Sequence, residues 1–180
     1  KFGDTTRKPG TTAKYDTCDG VEYSTLEYDT VSTKEGRRLE DVLLITYGEN
    51  SYVLNGKSRE KYEQYGCARY GLPTADALYD YKTPKHGSIA HYQKFSKANI
   101  SWTQPGWYHL DQSGWFYEVT GGIKSVYDSN EGLLNVKDAP GIAGYMGAPV
   151  GNAGYISNFT PYGENLGRVY GQQFEGGWII

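Results

Sequence analysis

Tyr70-Gly71-Leu72-Pro73-Thr74 is the stretch from which the rest of the chain is interpreted, because a second version, Met146-Gly147-Ala148-Pro149-Val150, follows 76 positions later. Glycine adopts backbone conformations closed to other residues, whereas proline fixes φ and lacks an N–H. Each stretch predicts a stiff corner in the chain. The recurrence predicts tandem units, each of which buries its apolar face against its neighbour.

The composition predicts one domain with an aromatic core. The chain has 180 residues, among them 18 Tyr, 4 Trp and 5 Phe, and rings can replace scarce Leu, Ile and Val in a core. The net charge is −3 with scattered Lys and Arg, which excludes an electrostatic footprint for nucleic acid. No apolar run approaches the roughly 20 residues of a membrane span, so no membrane partner is expected.

Three features favour a secreted protein, extracellular or associated with a cell wall. The chain starts at Lys1 without Met or a signal peptide, which suggests a processed terminus. Cys18 and Cys67 predict a disulfide, with two reduced thiols as the alternative. Asn99-Ile100-Ser101 and Asn158-Phe159-Thr160 are N-glycosylation sequons.

The order of patterns predicts two regions. Residues 1–35 are polar and lack a sustained hydrophobic period, so we expect an irregular N-terminal arm tied down at Cys18. The alternative at Val21-Glu22-Tyr23 and Leu26-Glu27-Tyr28, where short alternations occur, is edge strands. Residues 36–180 carry the repeated pattern. There, residues 42–47 and 51–54 predict a β-hairpin, and residues 57–65 predict a helix that ends at Gly66.

The second unit repeats this order with changes. Residues 92–95 lead to a predicted strand at residues 100–102, with residues 108–110 as the return strand of a hairpin and residues 115–119 as an extra strand. Residues 122–127 occupy the place of the earlier helix.

A partial third unit is predicted at the end of the chain. Phe174 precedes Ile179 by five residues, as Phe95 precedes Ile100. The third hairpin would lack its return strand and leave an exposed edge. We therefore expect part of residues 17–29 to pair with residues 178–180.

These patterns resemble the LGFP repeat. The resemblance rests on Arg59-Glu60-Lys61-Tyr62, on both corners, on Ile100-Ser101-Trp102-Thr103 and on Phe174-Glu175-Gly176-Gly177. It covers residues 36–180 with gaps, as two full repeats and one partial repeat. It implies a mainly β, pseudo-symmetric single domain with short helices. It also implies a non-catalytic, extracellular module associated with a wall polysaccharide or surface glycan.

Aromatic side chains near turns are the candidate ligand contacts, because the C–H face of a sugar stacks on a ring while neighbouring polar groups bind its hydroxyls. The candidates are Trp107, Tyr108, Asp111, Trp115, Trp102 and Trp178. The alternative is that these rings form the core of a leucine-poor protein.

Two other functions stay open. A secreted hydrolase of such glycans needs two converging carboxylates, for which Glu118, Asp111 and Glu175 are candidates. A structural protein could instead self-associate through edge strands near Ile179-Ile180. In that case the partner is a second copy of the chain, in an oligomer. No catalytic residue, metal site or cofactor is predicted.

Overall fold

The computed structural model describes residues 2–83, 87, 89–102, 115–129, 146–160, 163 and 165–180. These residues are mainly β. The strands are β1 Thr5–Arg7, β2 Lys14–Cys18, β3 Val21–Ser32, β4 Arg38–Tyr47, β5 Asn50–Leu54, β6 Leu78–Lys82, β7 Ile89–Lys94, β8 Ala98–Trp102, β9 Phe116–Thr120, β10 Gly154–Ile156, β11 Val169–Phe174 and β12 Gly177–Ile179. The helices are α1 Gly56–Tyr70 and α2 Gly121–Ser129.

The chain divides into two compact units. The first consists of Lys1–Ala77 with Phe95–Lys97, and the second of Leu78–Lys94 with Ala98–Ile180. In the first unit, one antiparallel sheet has the order β1-β3-β4-β5, and β2 also pairs with β3. The second unit contains the sheets β6-β7-β8-β9 and β10-β11-β12.

The N-terminal region forms strands instead of the irregular arm that the sequence predicted for residues 1–35. The twelve residues of β3 pair with β1, β2 and β4. Most side chains of β2 and β3 are exposed or half-exposed, so the apolar alternation by which a half-buried strand is recognised is confined to residues 21–23 and 26–28 of β3. The prediction that residues 17–29 pair with residues 178–180 is wrong for the described residues, because the sheet that contains β12 consists of β10, β11 and β12, while β2 and β3 belong to the sheet of the first unit.

The hairpin of the first unit is confirmed. Strands β4 and β5 pair in register from Leu43↔Leu54 to Tyr47↔Asn50. Helix α1 follows, and Gly66 interrupts it with φ 58° and ψ −157°, close to the end that the sequence predicted.

The first corner lies after α1. Gly71 has φ 72°, in the left-handed region that favours glycine. Pro73 forms an isolated bridge with Phe95. The Ser96 amide donates to the Leu72 carbonyl at 2.9 Å, and the Leu72 amide donates to Ser96 Oγ at 3.2 Å. The corner is therefore fixed to the segment around Phe95.

The second corner has the same kinds of contacts. Gly147 has φ 65°, and Pro149 forms an isolated bridge with Phe174. The Glu175 amide donates to the Ala148 carbonyl at 3.0 Å. The Ala148 amide donates to Glu175 Oε2 at 2.8 Å, as the Leu72 amide does to a side-chain oxygen in the first corner.

In each unit, one helix tyrosine stacks on the phenylalanine that forms a bridge with the corner proline. Tyr62 of α1 stacks on Phe95 at a centroid distance of 5.7 Å, and Tyr127 of α2 stacks on Phe174 at 4.6 Å. All four rings are buried. Ring stacking of this kind adds to the free energy gained by burial alone.

The predicted disulfide is present in the first unit. Cys18 and Cys67 are joined with a Cα–Cα distance of 5.6 Å, so β2 is linked covalently to α1. Lys97 supports this link, since its Nζ pairs with Asp19 at 2.9 Å and donates to the Cys67 carbonyl at 3.2 Å.

A charge network joins α1 to the sheet of the first unit. The buried guanidinium of Arg59 contacts Asp41 at 2.7 Å, Glu63 at 2.8 Å and Glu27 at 3.2 Å. Lys8 pairs with Glu27 at 3.1 Å. The hydrogen bond from Lys8, followed by the one from Arg59, lowers the pKa of Glu27 below its ordinary value.

The pairing of β8 differs from the predicted hairpin. Along its whole length β8 pairs with β9, from Ala98↔Thr120 to Trp102↔Phe116. The sequence predicted residues 108–110 as the return strand, and these lie outside the described residues. The strand that the sequence treated as extra, at residues 115–119, is therefore one neighbour of β8, and β7 is the other.

The second unit has an aromatic core, as the composition indicates. Tyr92, Tyr127 and Phe174 are at its centre. The other buried members are Ala90, Val119, Ile123, Met146, Ala148 and Ile179. Burial raises the pKa of Tyr92 and Tyr127 well above the ordinary value, so both hydroxyls stay neutral.

Candidate functional site

Among the described residues of the second unit, the most exposed pair of aromatic side chains lies on the sheet β10-β11-β12. Tyr155 on β10 is directly opposite Tyr170 on β11. Their centroids are 5.2 Å apart with an interplanar angle of 74°, which is the edge-to-face arrangement that aromatic pairs favour. Tyr155 is 66% exposed and Tyr170 is 49% exposed, so much of both rings faces solvent.

Arg168 completes this surface. Its guanidinium carbon lies 4.1 Å from the centroid of the Tyr155 ring, a cation–π contact. Arg168 is itself exposed. We call Tyr155, Arg168 and Tyr170 the aromatic patch. It combines two apolar ring faces with a cation and two hydroxyl groups, which suits an amphipathic ligand.

The strands beneath the aromatic patch are firmly held. The buried side chain of Gln172 donates through Nε2 to the carbonyls of Glu118 and Gly151, each at 2.8 Å. A Cβ on Gly171 would lie 2.7 Å from the Ile179 carbonyl, so glycine lets the chain around Ile179 lie close to β11. These contacts fix the positions of both tyrosines.

Trp178 forms a second exposed aromatic surface. It is 42% exposed and meets Phe159 edge to face at 5.9 Å. Trp178 is opposite Gln173 in the ladder. Side chains alternate along a strand, so this register places Trp178 and Tyr170 on opposite faces of the sheet.

The other predicted ligand contacts have different outcomes. Trp102 is only 6% exposed and packs 5.4 Å from His91, so it belongs to the interior and its assignment as a ligand contact is wrong. Trp115 is half-buried against the core and stacks on Tyr117 at 4.9 Å. Trp107, Tyr108 and Asp111 lie outside the described residues.

Sequence reasoning did not select Tyr155, Arg168 or Tyr170. It concentrated on tryptophans beside turns, whereas the aromatic patch depends on the register between β10 and β11. The only local signal is that Tyr155 follows Gly154 and Tyr170 precedes Gly171. Glycine next to an aromatic residue in a strand is too common a pattern to identify a site.

The two sequons differ in accessibility. Asn99 is fully buried on β8, between β7 and β9, and its Nδ2 donates to Asp128 Oδ1 at 2.6 Å. Attachment of a glycan to Nδ2 requires open space, so glycosylation at Asn99 is incompatible with this fold. Asn158 is exposed and has φ 55°, and its glycosylation stays a prediction.

The structure describes two of the three candidate catalytic carboxylates, Glu118 and Glu175. Glu175 accepts the Ala148 amide at the second corner, which gives this carboxylate a structural role. Glu118 is half-buried on β9, and Asp111 lies outside the described residues.

One cluster of metal-ligand residue types exists within the described chain. Ligand atoms of Cys18, Asp19 and Cys67 lie within 4.8 Å of one another. The two sulfur atoms are joined in the disulfide, and metal binding by cysteine requires the free thiolate. This cluster is therefore a covalent cross-link and not a metal site.

Comparison with protein-family models, with curated proteins and with solved structures finds no match to this chain. Among the described residues, neither helix is long and apolar enough to cross a membrane.

Proposed function

We propose that this protein is a secreted, non-catalytic binding module that holds a wall polysaccharide or surface glycan through exposed aromatic side chains. The observation that carries the proposal is the exposed Tyr155–Tyr170 pair, which is ordered by strand register and lies beside Arg168. A sugar ring stacks its C–H face on one tyrosine, and the tyrosine hydroxyls bind its hydroxyl groups.

The arrangement of the two rings suits a saccharide better than a flat aromatic ligand. The rings are inclined at 74° with centroids 5.2 Å apart, so they contact each other and leave no parallel slot into which a planar molecule could insert. The strands beneath them are fixed by Gln172. A preordered surface loses little conformational entropy when the ligand binds.

The proposal includes a chain of two full LGFP-like units and one partial unit. The matching corner contacts support this, since Leu72 and Ala148 carbonyls accept equivalent amides. A further pair of bonds supports it as well. Lys97 N donates to Tyr70 O at 3.0 Å, and Gly176 N donates to Met146 O at 2.9 Å. The same two positions of each corner are therefore bonded in the same way.

Secretion is supported by the Cys18–Cys67 disulfide. Disulfides form and persist in oxidising compartments and are rare in the cytosol. The exposed sequon at Asn158 agrees with passage through a eukaryotic secretory pathway.

Three measurements on the purified protein distinguish the proposed function from its alternatives. A glycan array tests binding, a reducing-end assay tests hydrolysis, and size-exclusion chromatography over a range of protein concentrations tests self-association. Saturable binding without released reducing ends is the expected result. Product release would indicate the hydrolase, and concentration-dependent oligomers without glycan binding would indicate the structural protein.

A further inference from the structure

We propose that the glycan bound at the aromatic patch is acidic, and that Arg168 binds a carboxylate or phosphate group of the saccharide that stacks on Tyr155 and Tyr170. This inference rests on the proposed function and adds the chemical class of the ligand.

The first step is the position of the cation. The guanidinium carbon of Arg168 lies over the Tyr155 ring, 4.1 Å from its centroid. The centroid of the Tyr170 ring is 5.2 Å from that of Tyr155, so a sugar that stacks on Tyr170 lies beside the cation. A guanidinium has five N–H donors in its own plane. Contact with a ring through one face leaves these in-plane donors available, and their fork geometry matches carboxylate and phosphate oxygens.

The second step is the charge environment of Arg168. Arg59 is neutralised by Asp41, Glu63 and Glu27, and Arg38 lies 3.9 Å from Glu40. In the part of the chain that the structure describes, no carboxylate lies within ion-pair distance of Arg168. Among the described residues the charge of Arg168 is therefore not paired, whereas the charges of Arg59 and Arg38 are balanced within the protein.

The third step concerns selectivity. The whole chain carries a net charge of −3, so it does not attract acidic polymers through overall charge. Attraction must come from local contacts, and one guanidinium on an aromatic platform provides a charge-assisted contact at a defined position. Binding should weaken moderately with salt, as expected for one exposed ion pair, and less steeply than for a polybasic surface.

The test uses polygalacturonate and its fully methyl-esterified form as probes, because the two share one backbone and differ in charge. A wider array adds other uronate polymers, phosphate-bearing teichoic acid and neutral glucans and mannans. Arg168→Gln removes the charge, and Arg168→Lys keeps the charge but loses the planar fork. Arg38→Gln is the matched control, since it removes an exposed arginine from the first unit.

The expected result is that wild type binds uronate or phosphate polymers and binds the neutral polymers at least tenfold more weakly. Arg168→Gln should reduce acidic binding about tenfold or more, Arg168→Lys should retain part of it, and Arg38→Gln should leave it unchanged. A preference for uronate polymers would identify the bound group as a carboxylate, and a preference for teichoic acid would identify it as a phosphate.

Two results would overturn the inference. If wild type binds neutral glycans and Arg168→Gln binds them equally well, the ligand is not acidic while the proposed function stands. If Arg168→Gln weakens acidic and neutral glycans to the same extent, Arg168 only positions Tyr155. A wild-type protein that binds no glycan at all would instead reject the proposed function itself.

Discussion

The hydroxyl of Tyr127 donates a hydrogen bond to the Gly147 carbonyl at 2.6 Å, and the Tyr127 ring stacks on Phe174 of the same corner. Helix α2, the second corner and β11 thus meet at one buried side chain. We expect Tyr127→Phe to lower the free energy of unfolding by about 1 to 3 kcal/mol, since it leaves a buried carbonyl unpaired.

Urea denaturation measures this change. Tyr15→Phe is the control, because Tyr15 is 83% exposed on β2 and should shift the unfolding free energy by less than about 0.5 kcal/mol. Equal effects of the two substitutions would show that the hydrogen bond does not stabilise the corner.

Gly71, the glycine of the first corner, should not tolerate a side chain. A Cβ there would lie 1.9 Å from Ser96 Oγ, and φ is +72°. We expect Gly71→Ala to cost about 2 to 4 kcal/mol, which combines backbone strain with displacement of Ser96 from the Leu72 amide.

Gly66→Ala separates these two contributions. Gly66 has φ 58° and ψ −157°, close to the 72° and −158° of Gly71, and no atom lies within 4 Å of the position that the added Cβ would occupy, so only the backbone cost of about 1 to 3 kcal/mol applies. Thermal or urea denaturation of both variants gives the difference. A Gly71→Ala variant no less stable than Gly66→Ala would contradict the close contact at the corner.

The disulfide should contribute strongly to the stability of the first unit. Cys18 and Cys67 are separated by 49 positions, and closure of a loop of that length restricts the unfolded chain by about 4 kcal/mol. We expect dithiothreitol to lower the denaturation midpoint of wild type. The double variant Cys18→Ala with Cys67→Ala should start at the lower midpoint and not respond to the reductant, and a response in that variant would contradict the assignment.

Acid should weaken the charge network around Glu27. Its pKa is lowered in the folded state from the ordinary 4.5, so its contribution is complete above the unfolded pKa and is lost as pH falls through the folded pKa. We expect Glu27→Gln to be less stable than wild type by about 1 kcal/mol at pH 7, because a hydrogen-bonded charge pair is lost at a half-exposed site.

The measurement is urea denaturation of both proteins between pH 7 and pH 2. The difference between them should shrink as the pH falls below about 4.5. Glu40→Gln is the control, because Glu40 pairs loosely with Arg38 at 3.9 Å and is largely exposed. A difference that stays constant across the whole pH range would contradict the role assigned to the Glu27 carboxylate.

The sequence predicted those elements whose pattern is local. The β4–β5 hairpin follows from a β-branched and aromatic run, a short turn and a second such run. Helix α1 and its interruption at Gly66 follow from helix-forming residues and a glycine. The disulfide was predictable because the chain has two cysteines.

Features that depend on pairing between distant segments were not predictable. Strand β3 shows only short apolar alternations, at residues 21–23 and 26–28, and most side chains of β2 and β3 are exposed or half-exposed. The extent of both strands is therefore evident only from their hydrogen bonds. Trp102 was a candidate ligand contact with a core position as the alternative, and its place on β8 between β7 and β9 buries it. The aromatic patch arises from the register Tyr155↔Tyr170, which spacing along the chain does not reveal.

The most direct test of the proposed function is the affinity of the protein for its best array glycan, measured by titration calorimetry for wild type, Tyr155→Ala, Tyr170→Ala and Tyr15→Ala. Tyr15 is even more exposed than Tyr155 but lies on β2 of the first unit. We predict that each of the two aromatic-patch substitutions weakens binding roughly tenfold or more, while Tyr15→Ala leaves it unchanged. Wild-type affinity in both Tyr155→Ala and Tyr170→Ala would contradict glycan binding at this surface.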